Sequence, residues 1–452
     1  MIRRTVKKIL PQKVFRKVEP LGHLGEAMLT QARHGFPAKG LNVIGVTGTD
    51  GKTSTCELIA HMLRSNGYKV AVLTTISVDY GDGRGPQPNP TRLTTMGVGA
   101  LLDQIEKIKK CGANWLVLET TSHALAQHRV WAIPYSVVVM TNVGHEHLDY
   151  HGTFENYRDA KKKLFIQANN NRKGLRVGIA NADDPSGELF AKAIEHPITY
   201  GTKKGDLRAT EIKLAPEGST YKAKIGKDEY HIECHLPGSF NVYNSLAAIG
   251  AGRAVGLTPQ QIEKGIASLK SVEGRMTRVD EGQNFTVIVD YAHTPESFEK
   301  VFKEIRPLSK GRIIAVFGSA GRRDEAKRAM QGKVAGRDCD IVIATEEDDR
   351  DIDGHEILQQ IAAGAKECGK AEGKDLFLVH KREEAIRLAV NMAKKDDIVL
   401  LLGKGHEKSI LSNGPKAAEL RHLQQDDTDP QRVIKRDYDE VKAARTALRN
   451  LK

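Results

Sequence analysis

Val43-Ile-Gly-Val-Thr-Gly-Thr-Asp-Gly-Lys-Thr-Ser-Thr55 is the stretch that decides the fold of this chain. The apolar run over residues 41–46 predicts a buried strand, and the pattern over residues 56–63 predicts a helix. The glycines between them let backbone N–H groups face an anion, and the N-terminus of the helix adds partial positive charge. The strand, loop and helix together favour a nucleotide-binding loop over a plain tight turn.

Two side chains of the loop carry the expected chemistry. Lys52 would reach the outer phosphates of a nucleotide, and the Thr53 hydroxyl would hold Mg²⁺. The spacing departs from the strict phosphate-loop motif, because Val46 stands where that motif has its first glycine. The signal therefore depends on the flanking strand and helix as much as on the motif.

Apolar runs alternate with helical patterns on both sides of this stretch, which predicts α/β architecture with parallel sheets covered by helices. We expect a short basic helical N-terminal arm (1–40), a central domain with a phosphate-loop-type, mostly parallel sheet (41–273), and a smaller Rossmann-like doubly wound domain (274–452). Residues 209–235 alternate apolar and polar side chains and predict an antiparallel patch at the edge of the central sheet. Further strands are predicted at 70–73, 115–118, 136–140, 177–180, 285–289, 312–317, 341–344, 376–379 and 398–402, and helices at 21–34 and 242–255.

Bulk composition narrows the class of protein. The 452 residues suffice for two or three domains, and no apolar run has the length of a membrane-spanning helix or the position of a signal-peptide core. The five cysteines are scattered without a C-x-x-C pair, which argues against a structural zinc site or a disulfide framework. We therefore expect a protein of the reducing cytoplasm.

The net charge of +12 is unevenly placed. Residues 1–20 hold seven basic residues against Glu19 alone, a net charge of +6, so half of the excess lies in the N-terminal arm. A solvated tail is one interpretation, and attraction to anionic lipid headgroups, at about 1 kcal/mol per basic residue near the surface, is the other. Aromatic residues do not alternate with the basic ones as on an RNA-binding surface, so nucleic acid is not expected as a partner.

Polar segments follow two predicted strands of the central domain. Glu119-Thr-Thr-Ser-His123 follows the run 115–118, and Gly144-His-Glu-His-Leu-Asp-Tyr-His151 comes shortly after the run 136–140. Because sites form at the carboxyl ends of parallel strands, Glu119 is placed to meet a nucleotide-bound Mg²⁺. The histidine-rich segment is either an exposed polar loop or a metal site, although its spacing offers no clear fourth ligand for zinc.

These motifs, taken in order, resemble those of the Mur ligases. Within that family they are most similar to the tripeptide synthetases, which add the third amino acid to the peptidoglycan stem. The resemblance covers residues 42–407, and its matching segments are 48–53, 119–129, 141–152, 157–161, 238–244, 274–276, 290–295, 317–324 and 403–407.

The resemblance implies an ATP-dependent amide ligase of peptidoglycan precursor synthesis. Such an enzyme moves the γ-phosphoryl group of ATP onto a muropeptide carboxylate, and an amino acid then attacks the acyl phosphate. The implied cofactors are ATP and two Mg²⁺ ions, with carbamylated Lys161 supplying an anionic oxygen ligand. Spacing alone would leave Lys161 an ordinary helix lysine. The implied catalytic residues are Lys52, Glu119, His147 and Lys161, and the implied metal ligands are Thr53, Glu119, His147 and Lys161.

The resemblance also assigns binding residues. Asn241 is equally suited to capping its helix, and His293 to a structural role. Nucleotide contacts are implied for Gly48, Thr49, Asp50, Gly51, Lys52, Thr53, Ser54, Asn241, Asn244, Arg275, Asp290 and His293. Acceptor contacts are implied for Thr94, Thr95, Thr121, Gln127 and Arg129, and contacts with the incoming amino acid for Arg323, Asp348, Arg350, Gly403 and Glu407.

Two departures from the family pattern leave the substrates open. The motif Asp-Asn-Pro-Arg appears here as Glu347-Asp-Asp-Arg350, so diaminopimelate and lysine are both compatible with the amino-acid pocket. Only about 40 residues precede the phosphate loop, too few for the domain with which tripeptide synthetases grip uridine diphosphate. The acceptor is therefore either a UDP-linked muropeptide held differently or a lipid-linked one at the inner face of the membrane.

Three other functions are alternatives to this one. A folylpolyglutamate synthase is disfavoured by the muramyl-peptide pattern at 122–129 and 149–152, and a precursor-amidating subunit by the lack of a four-cysteine insertion. A nucleotide-binding regulator without turnover is disfavoured because Lys52, Glu119, His147 and Lys161 occur together. We expect a monomer that acts on small-molecule muropeptide and amino-acid substrates.

Overall fold

The computed structural model describes residues 12–91, 93–322, 324–422 and 427–451, with side chains from Glu19 onward. Residues 1–11 of the basic arm, and the side chains of residues 12–18, therefore lie outside the described residues. The described chain divides into two compact units. The first runs to Lys213 and includes 219–235 and 239–270, and the second holds 214–218, 236–238 and the chain from Ser271 onward.

A large sheet forms the centre of the first unit. Its strands are β1 Asn42–Thr47, β2 Val70–Leu73, β3 Ser77–Asp79, β4 Gln87–Pro88, β5 Trp115–Glu119, β6 Tyr135–Met140, β7 Val177–Asn181, β8 His196–Gly201, β9 Leu207–Ala215, β10 Gly218–Ile225 and β11 Asp228–Cys234. Across the sheet they follow the order β11-β10-β9-β8-β7-β6-β1-β5-β2-β3-β4. The strands from β2 to β9 in this order pair in parallel. The pairs β10–β11, β2–β3 and β3–β4 are antiparallel and lie toward the two edges of the sheet.

Helices cover both faces of this sheet, as its buried strands require. They are α1 Gln12–Arg33, α2 Lys52–Ser65, α3 Val98–Lys110, α4 Ser122–Ala126, α5 Leu148–His151, α6 Phe154–Asn169, α7 Gly187–Ala191, α8 Ser239–Val255 and α9 Pro259–Ser268. None of the helices in the described ranges combines the length and apolar character needed to cross a membrane.

The position of β1 at the middle of the sheet determines where the site forms. Its residues Val43, Ile44 and Val46 are completely buried, as expected for a parallel strand covered on both faces. In the register of the sheet, Val46 lies opposite Glu119 of β5 and Thr47 lies opposite Met140 of β6. The carboxyl ends of three neighbouring strands therefore deliver the glycine loop, Glu119 and the segment after Met140 to one edge.

The second unit contains a smaller, mainly parallel sheet and one separate hairpin. The sheet consists of β12 Thr277–Val279, β13 Thr286–Asp290, β14 Ile313–Phe317, β15 Ile341–Ala344, β16 Leu376–Leu378 and β17 Ile398–Leu402, in the order β12-β13-β17-β14-β15-β16. The hairpin pairs β18 Ser409–Asn413 with β19 Val433–Asp437. The helices are α10 Pro295–Ile305, a 3₁₀ turn Arg306–Leu308, α11 Ala326–Asp338, α12 Gly354–Glu367, α13 Arg382–Met392, α14 Ala417–Leu420 and α15 Glu440–Arg449.

The predicted α/β class with two sheets is confirmed. The antiparallel patch within 209–235 is present at the sheet edge, and the helix predicted over 21–34 begins earlier, at Gln12. The sequence did not reveal β3, β4, β8, β12 or the β18–β19 hairpin. β3, β4 and β12 are only two to three residues long, and the hairpin joins segments separated by about twenty residues of polar chain.

Candidate active site

The glycine loop after β1 is hydrogen-bonded to the residues that follow β6, which fix its backbone conformation. Thr49 N donates to Asn142 O at 2.9 Å, Asp50 N donates to Asn142 Oδ1 at 2.9 Å, and Thr141 Oγ1 donates to Asp50 O at 2.6 Å. Gly51 has φ 77° and caps α2 without a side-chain acceptor for the first-turn N–H groups in the described chain. Those N–H groups are therefore available to an anion at the helix N-terminus.

Both glycines of this loop meet close neighbours. A Cβ at Gly48 would lie 1.8 Å from Thr141 Oγ1, and a Cβ at Gly51 would lie 2.3 Å from Asn244 Oδ1. Lys52 folds back over the loop, with its Nζ donating to Thr49 O at 2.6 Å. Loop conformation and lysine position fit a phosphate-binding role.

Glu119 is the centre of a buried hydrogen-bond network at the end of β5. Its Oε2 accepts from Thr53 Oγ1 at 3.0 Å and from Thr75 N at 2.8 Å, and its Oε1 accepts from Thr75 Oγ1 at 3.0 Å. The predicted partners Thr53 and Glu119 are thus in direct contact. A hydroxyl beside a carboxylate is a donor set that Mg²⁺ prefers.

Lys161 lies on α6 with only 2% of its surface exposed. Its Nζ donates to Gly48 O at 2.5 Å and sits 4.4 Å from the centre of the Tyr157 ring. Burial, reinforced by the charge on Lys52, lowers the pKa of Lys161 well below its ordinary value. Lys161 is therefore not solvent-exposed, because its amine faces the glycine loop from the protein interior.

The histidine-rich segment lies beside Lys161 and forms a cluster of rings that meet mostly edge to face. His147 has φ 55°, is half exposed, and its ring lies 4.7 Å from that of His123 and 6.0 Å from that of Tyr157. Burial, then the charge on His147, lowers the pKa of His123 to about 4. Burial also lowers the pKa of His147. Neutral imidazoles are the form that binds metals.

Within the described residues, the histidines of this segment do not bring three metal-ligand atoms within 4.8 Å of one another. The geometry therefore gives no support to a zinc site made by the segment itself. His147 remains a predicted ligand only in combination with residues from other elements.

Asn241 and Asn244 lie in the first turns of α8, behind the glycine loop. Asn244 Nδ2 donates to Asn241 Oδ1 at 2.8 Å, and Asn244 Oδ1 accepts from Thr55 Oγ1 at 3.3 Å. Because α8 already begins at Ser239, the alternative that Asn241 caps this helix is wrong. The pair connects α8 to the start of α2, next to Ser54.

The predicted acceptor residues of the first unit gather around Glu119. Thr95 Oγ1 donates to Glu119 O at 2.9 Å and accepts from Thr121 N at 3.0 Å, and Arg129 Nη1 donates to Thr95 O at 2.9 Å. Two further contacts join Gln127 and Thr94 to this group. Arg129 Nε donates to Gln127 Oε1 at 2.9 Å, and Thr75 Oγ1 lies 3.0 Å from Thr94 Oγ1. Sequence reasoning missed Thr75, which no motif marks and which only the pairing of β2 with β5 brings to Glu119.

Asp290, Arg275 and His293 lie close together in the second unit. Asp290 Oδ2 accepts from Met276 N and its Oδ1 from Ala292 N, both at 2.8 Å, so this buried carboxylate fixes two loops. Burial raises its pKa. The Arg275 guanidinium lies 5.2 Å from the Tyr291 ring centre, and His293 Nδ1 lies 2.9 Å from Tyr291 O.

A cavity of about 340 Å³ in the second unit contains most of the predicted amino-acid contacts. Asp348, Arg350 and Glu407 line it, and Gly403 lies beside the lining residue Glu347. Arg323 lies outside the described residues. Sequence reasoning missed Lys404, whose buried Nζ contacts Asp348 Oδ1 at 3.1 Å and Glu407 Oε2 at 2.6 Å.

Comparison with known proteins gives two family matches. Residues 46–252 match the Mur ligase middle domain, and residues 274–405 match the Mur ligase, glutamate ligase domain.

Individual relatives and structures agree with these matches. The chain is 39% identical over 404 residues to a UDP-N-acetylmuramyl-tripeptide synthetase of Roseiflexus sp. (strain RS-1), covering 87% of this chain and 79% of the relative. It is 39% identical over 386 residues to a UDP-N-acetylmuramoyl-L-alanyl-D-glutamate–2,6-diaminopimelate ligase of Geobacillus kaustophilus, covering 84% and 77%. A solved structure of a ligase with that same name is 29% identical with a TM-score of 0.64, covering 91% of this chain and 79% of the other.

Proposed function

The chain belongs to the Mur ligase family of ATP-dependent, Mg²⁺-using ligases, and from this we propose that it couples an amino acid to a muropeptide carboxylate in peptidoglycan precursor synthesis. The observation that carries the proposal is the convergence of Lys52, Thr53, Glu119 and Lys161 on one glycine loop. Phosphoryl transfer depends mainly on positioning and charge neutralisation, which these four side chains are suited to provide.

The loop and Lys52 are proposed to bind the β- and γ-phosphates of ATP. The N–H groups of the first turn of α2 point toward the loop, and Lys52 adds a full positive charge over it. Thr141 and Asn244 leave no room for a Cβ at Gly48 and Gly51, so the loop needs glycine at both positions to keep this conformation.

Thr53 and Glu119 are proposed to hold one Mg²⁺, because a hydroxyl and a carboxylate 3.0 Å apart are hard oxygen donors of the kind this ion takes. An Mg²⁺ ion held by these two side chains would supply positive charge to offset that of the phosphoryl group. Thr75 positions the carboxylate through two hydrogen bonds, so Glu119 needs no rearrangement to offer an oxygen.

Lys161 is proposed to be carbamylated and, with His147, to hold a second Mg²⁺. Its buried amine has a lowered pKa, so the neutral form, whose lone pair can attack CO₂, is favoured. The neutral amine forms an N–C bond to CO₂ as one C=O π bond of CO₂ breaks, and one proton is released, which leaves an anionic carbamate oxygen in place of the neutral amine. Mg²⁺ accepts an anionic oxygen as a ligand, whereas an ammonium group cannot bind it.

Thr95, Thr121 and Arg129 are proposed to hold the muropeptide acceptor. They are linked to one another and to the backbone of Glu119, so a carboxylate bound there would lie near the proposed metal ligand. The guanidinium and hydroxyl groups offer donors for the carboxylates of a peptide.

Product analysis tests this function. Wild-type protein is incubated with ATP, Mg²⁺ and lysine or diaminopimelate, together with UDP-MurNAc-dipeptide, its lipid-linked form or folate, and the products are identified by mass spectrometry. We expect an amide product from a muropeptide and none from folate. ADP release without any amide, or ligation to folate alone, would contradict the proposal.

We also propose that the protein works as a monomer on the cytoplasmic side, with residues 1–20 binding anionic membranes. The arm carries a net charge of +6, and α1 beyond it exposes the apolar side chains of Leu21, Met28 and Leu29. Sedimentation with anionic vesicles should be strong for the full chain and weak after removal of residues 1–20. If neither the full chain nor the truncated chain sediments with the vesicles, the membrane proposal is wrong. Light scattering on a sizing column measures the molar mass in solution and so tests whether the protein is a monomer.

A further inference from the structure

The cavity of the second unit has an acidic lining. The charged residues that line it in the described chain are Asp324, Lys327, Glu347, Asp348, Arg350 and Glu407. Four carboxylates therefore face two cations. A ligand that enters this cavity gains from carrying positive charge, and a second carboxylate on it meets like charge.

Glu347 is the least satisfied of these acids. Only 6% of the residue is exposed, and its Oε2 has no hydrogen-bond partner within the described residues. The same atom lies 2.8 Å from the position that a Cβ of Gly403 would take, so the glycine leaves the carboxylate open on that side. A buried carboxylate oxygen without a donor is unfavourable, and an ammonium from a ligand would correct this.

Lys404 does not donate a hydrogen bond to Glu347. Its completely buried ammonium is 3.1 Å from Asp348 Oδ1 and 2.6 Å from Glu407 Oε2. Glu347 acts on it only through its charge, without a hydrogen bond. Lys404 thus contacts two of the three carboxylates, Asp348 and Glu407, and Glu347 Oε2 stays without a donor in the described part of the chain.

Arg350, the residue expected to bind a distal carboxylate, is engaged within the protein. Its Nε contacts Asp427 Oδ2 at 3.3 Å, its Nη1 donates to Gly321 O at 2.9 Å, and only 6% of the residue is exposed. Asp427 occupies the guanidinium edge that an incoming carboxylate would need. This internal carboxylate neutralises the charge that would otherwise attract diaminopimelate.

We propose, on the basis of the ligase function above, that the incoming amino acid is a diamino monocarboxylic acid such as lysine or ornithine, and that Glu347 binds its side-chain ammonium. The substrate ammonium supplies the missing donor to Glu347 Oε2. Because such a substrate has no second carboxylate, it is not repelled by the acidic side chains around Lys404. Glu347 is thereby a specificity-determining residue, and Asp427 acts against diaminopimelate by holding Arg350.

The first test compares lysine, ornithine and diaminopimelate as substrates of the wild-type chain, with kcat/KM measured for each at saturating ATP and muropeptide. We expect lysine or ornithine to exceed diaminopimelate by at least about tenfold, the factor for one poorly matched charged group. Preference for diaminopimelate overturns the inference and leaves the ligase function intact. Ligation of none of the three contradicts the ligase function itself.

Three variants then test the assigned residues. Glu347→Gln should raise the KM for lysine by about 10- to 100-fold, the range for losing one charge-assisted hydrogen bond, and leave the KM for ATP unchanged. The exposed Glu419→Gln removes the same charge from the surface of this unit and should change neither KM. Asp427→Asn releases Arg350 and should raise kcat/KM for diaminopimelate relative to lysine. An unchanged lysine KM in Glu347→Gln would overturn the role of this residue.

Discussion

Replacing Gly51 with alanine separates the phosphate loop from general stability, because the chain contains a matched control. Gly51 and Gly67 flank the same helix, α2, and both have left-handed φ angles, 77° and 85°. Their surroundings differ. A Cβ at Gly51 would lie 2.3 Å from Asn244 Oδ1, whereas a Cβ at Gly67 has nothing within 4 Å.

The magnitudes follow from this difference. Placing alanine in the left-handed region costs roughly 1–2 kcal/mol, and both variants lose this amount of unfolding free energy. Only Gly51→Ala must also move its neighbour by about 1 Å to restore an ordinary contact distance. Displacements of about 1 Å in a positioned site can cost about 100-fold in function, so we expect a loss of nucleotide affinity between 10- and 100-fold for Gly51→Ala alone.

Urea unfolding and calorimetric titration with a non-hydrolysable ATP analogue and Mg²⁺ measure the two effects separately. Gly67→Ala should unfold at a somewhat lower urea concentration than the wild type and bind the analogue like the wild type, whereas Gly51→Ala should unfold at the same or a still lower urea concentration and also lose affinity. Wild-type affinity in Gly51→Ala, or an equal loss of affinity in Gly67→Ala, would refute the assignment of this loop to phosphate binding.

Two further predictions concern Lys161 and Asp351. Lys161→Ala should abolish amide formation while binding of the ATP analogue largely survives. As a control, Lys163→Ala, which changes an exposed lysine on the same helix, should stay active. Full activity in Lys161→Ala would contradict the carbamate role. Burial acts to raise the pKa of Asp351, but hydrogen bonds from Arg322 and Arg432 outweigh it and lower this pKa to about 2. Because the folded pKa is depressed, about 2 kcal/mol of stability is present above about pH 5 and is lost as the pH falls toward 2. Acid unfolding followed by circular dichroism should therefore be shallower for Asp351→Asn than for the wild type, and identical pH profiles would contradict the ion-pair assignment.

The fold and the centre of the site could be predicted because they depend on local patterns. Apolar runs between helical segments are sufficient to indicate a parallel sheet, and the carboxyl ends of its strands then mark where Glu119 must lie. The glycine loop is likewise a contiguous motif. Lys161 was predicted through a family pattern, since its burial against Gly48 depends on the packing of α6 over β1.

The remaining site residues depend on pairings that no local pattern reveals. Thr75 reaches Glu119 only because β2 pairs with β5, so that Leu73 lies opposite Leu118. Lys404 and Glu347 are charged residues in polar segments, which usually indicate solvent exposure, yet both are buried. Their burial could not be inferred from sequence, and it carries the argument about substrate charge.

A crystal structure with Mg²⁺ and a non-hydrolysable ATP analogue tests the central claim most directly. We predict the triphosphate on the loop N–H groups and Lys52, a metal ion bound by Thr53 and Glu119, and extra density on Lys161 Nζ for a carbamate. A triphosphate bound elsewhere in the molecule, with Lys161 unmodified and no metal at Glu119, would contradict it.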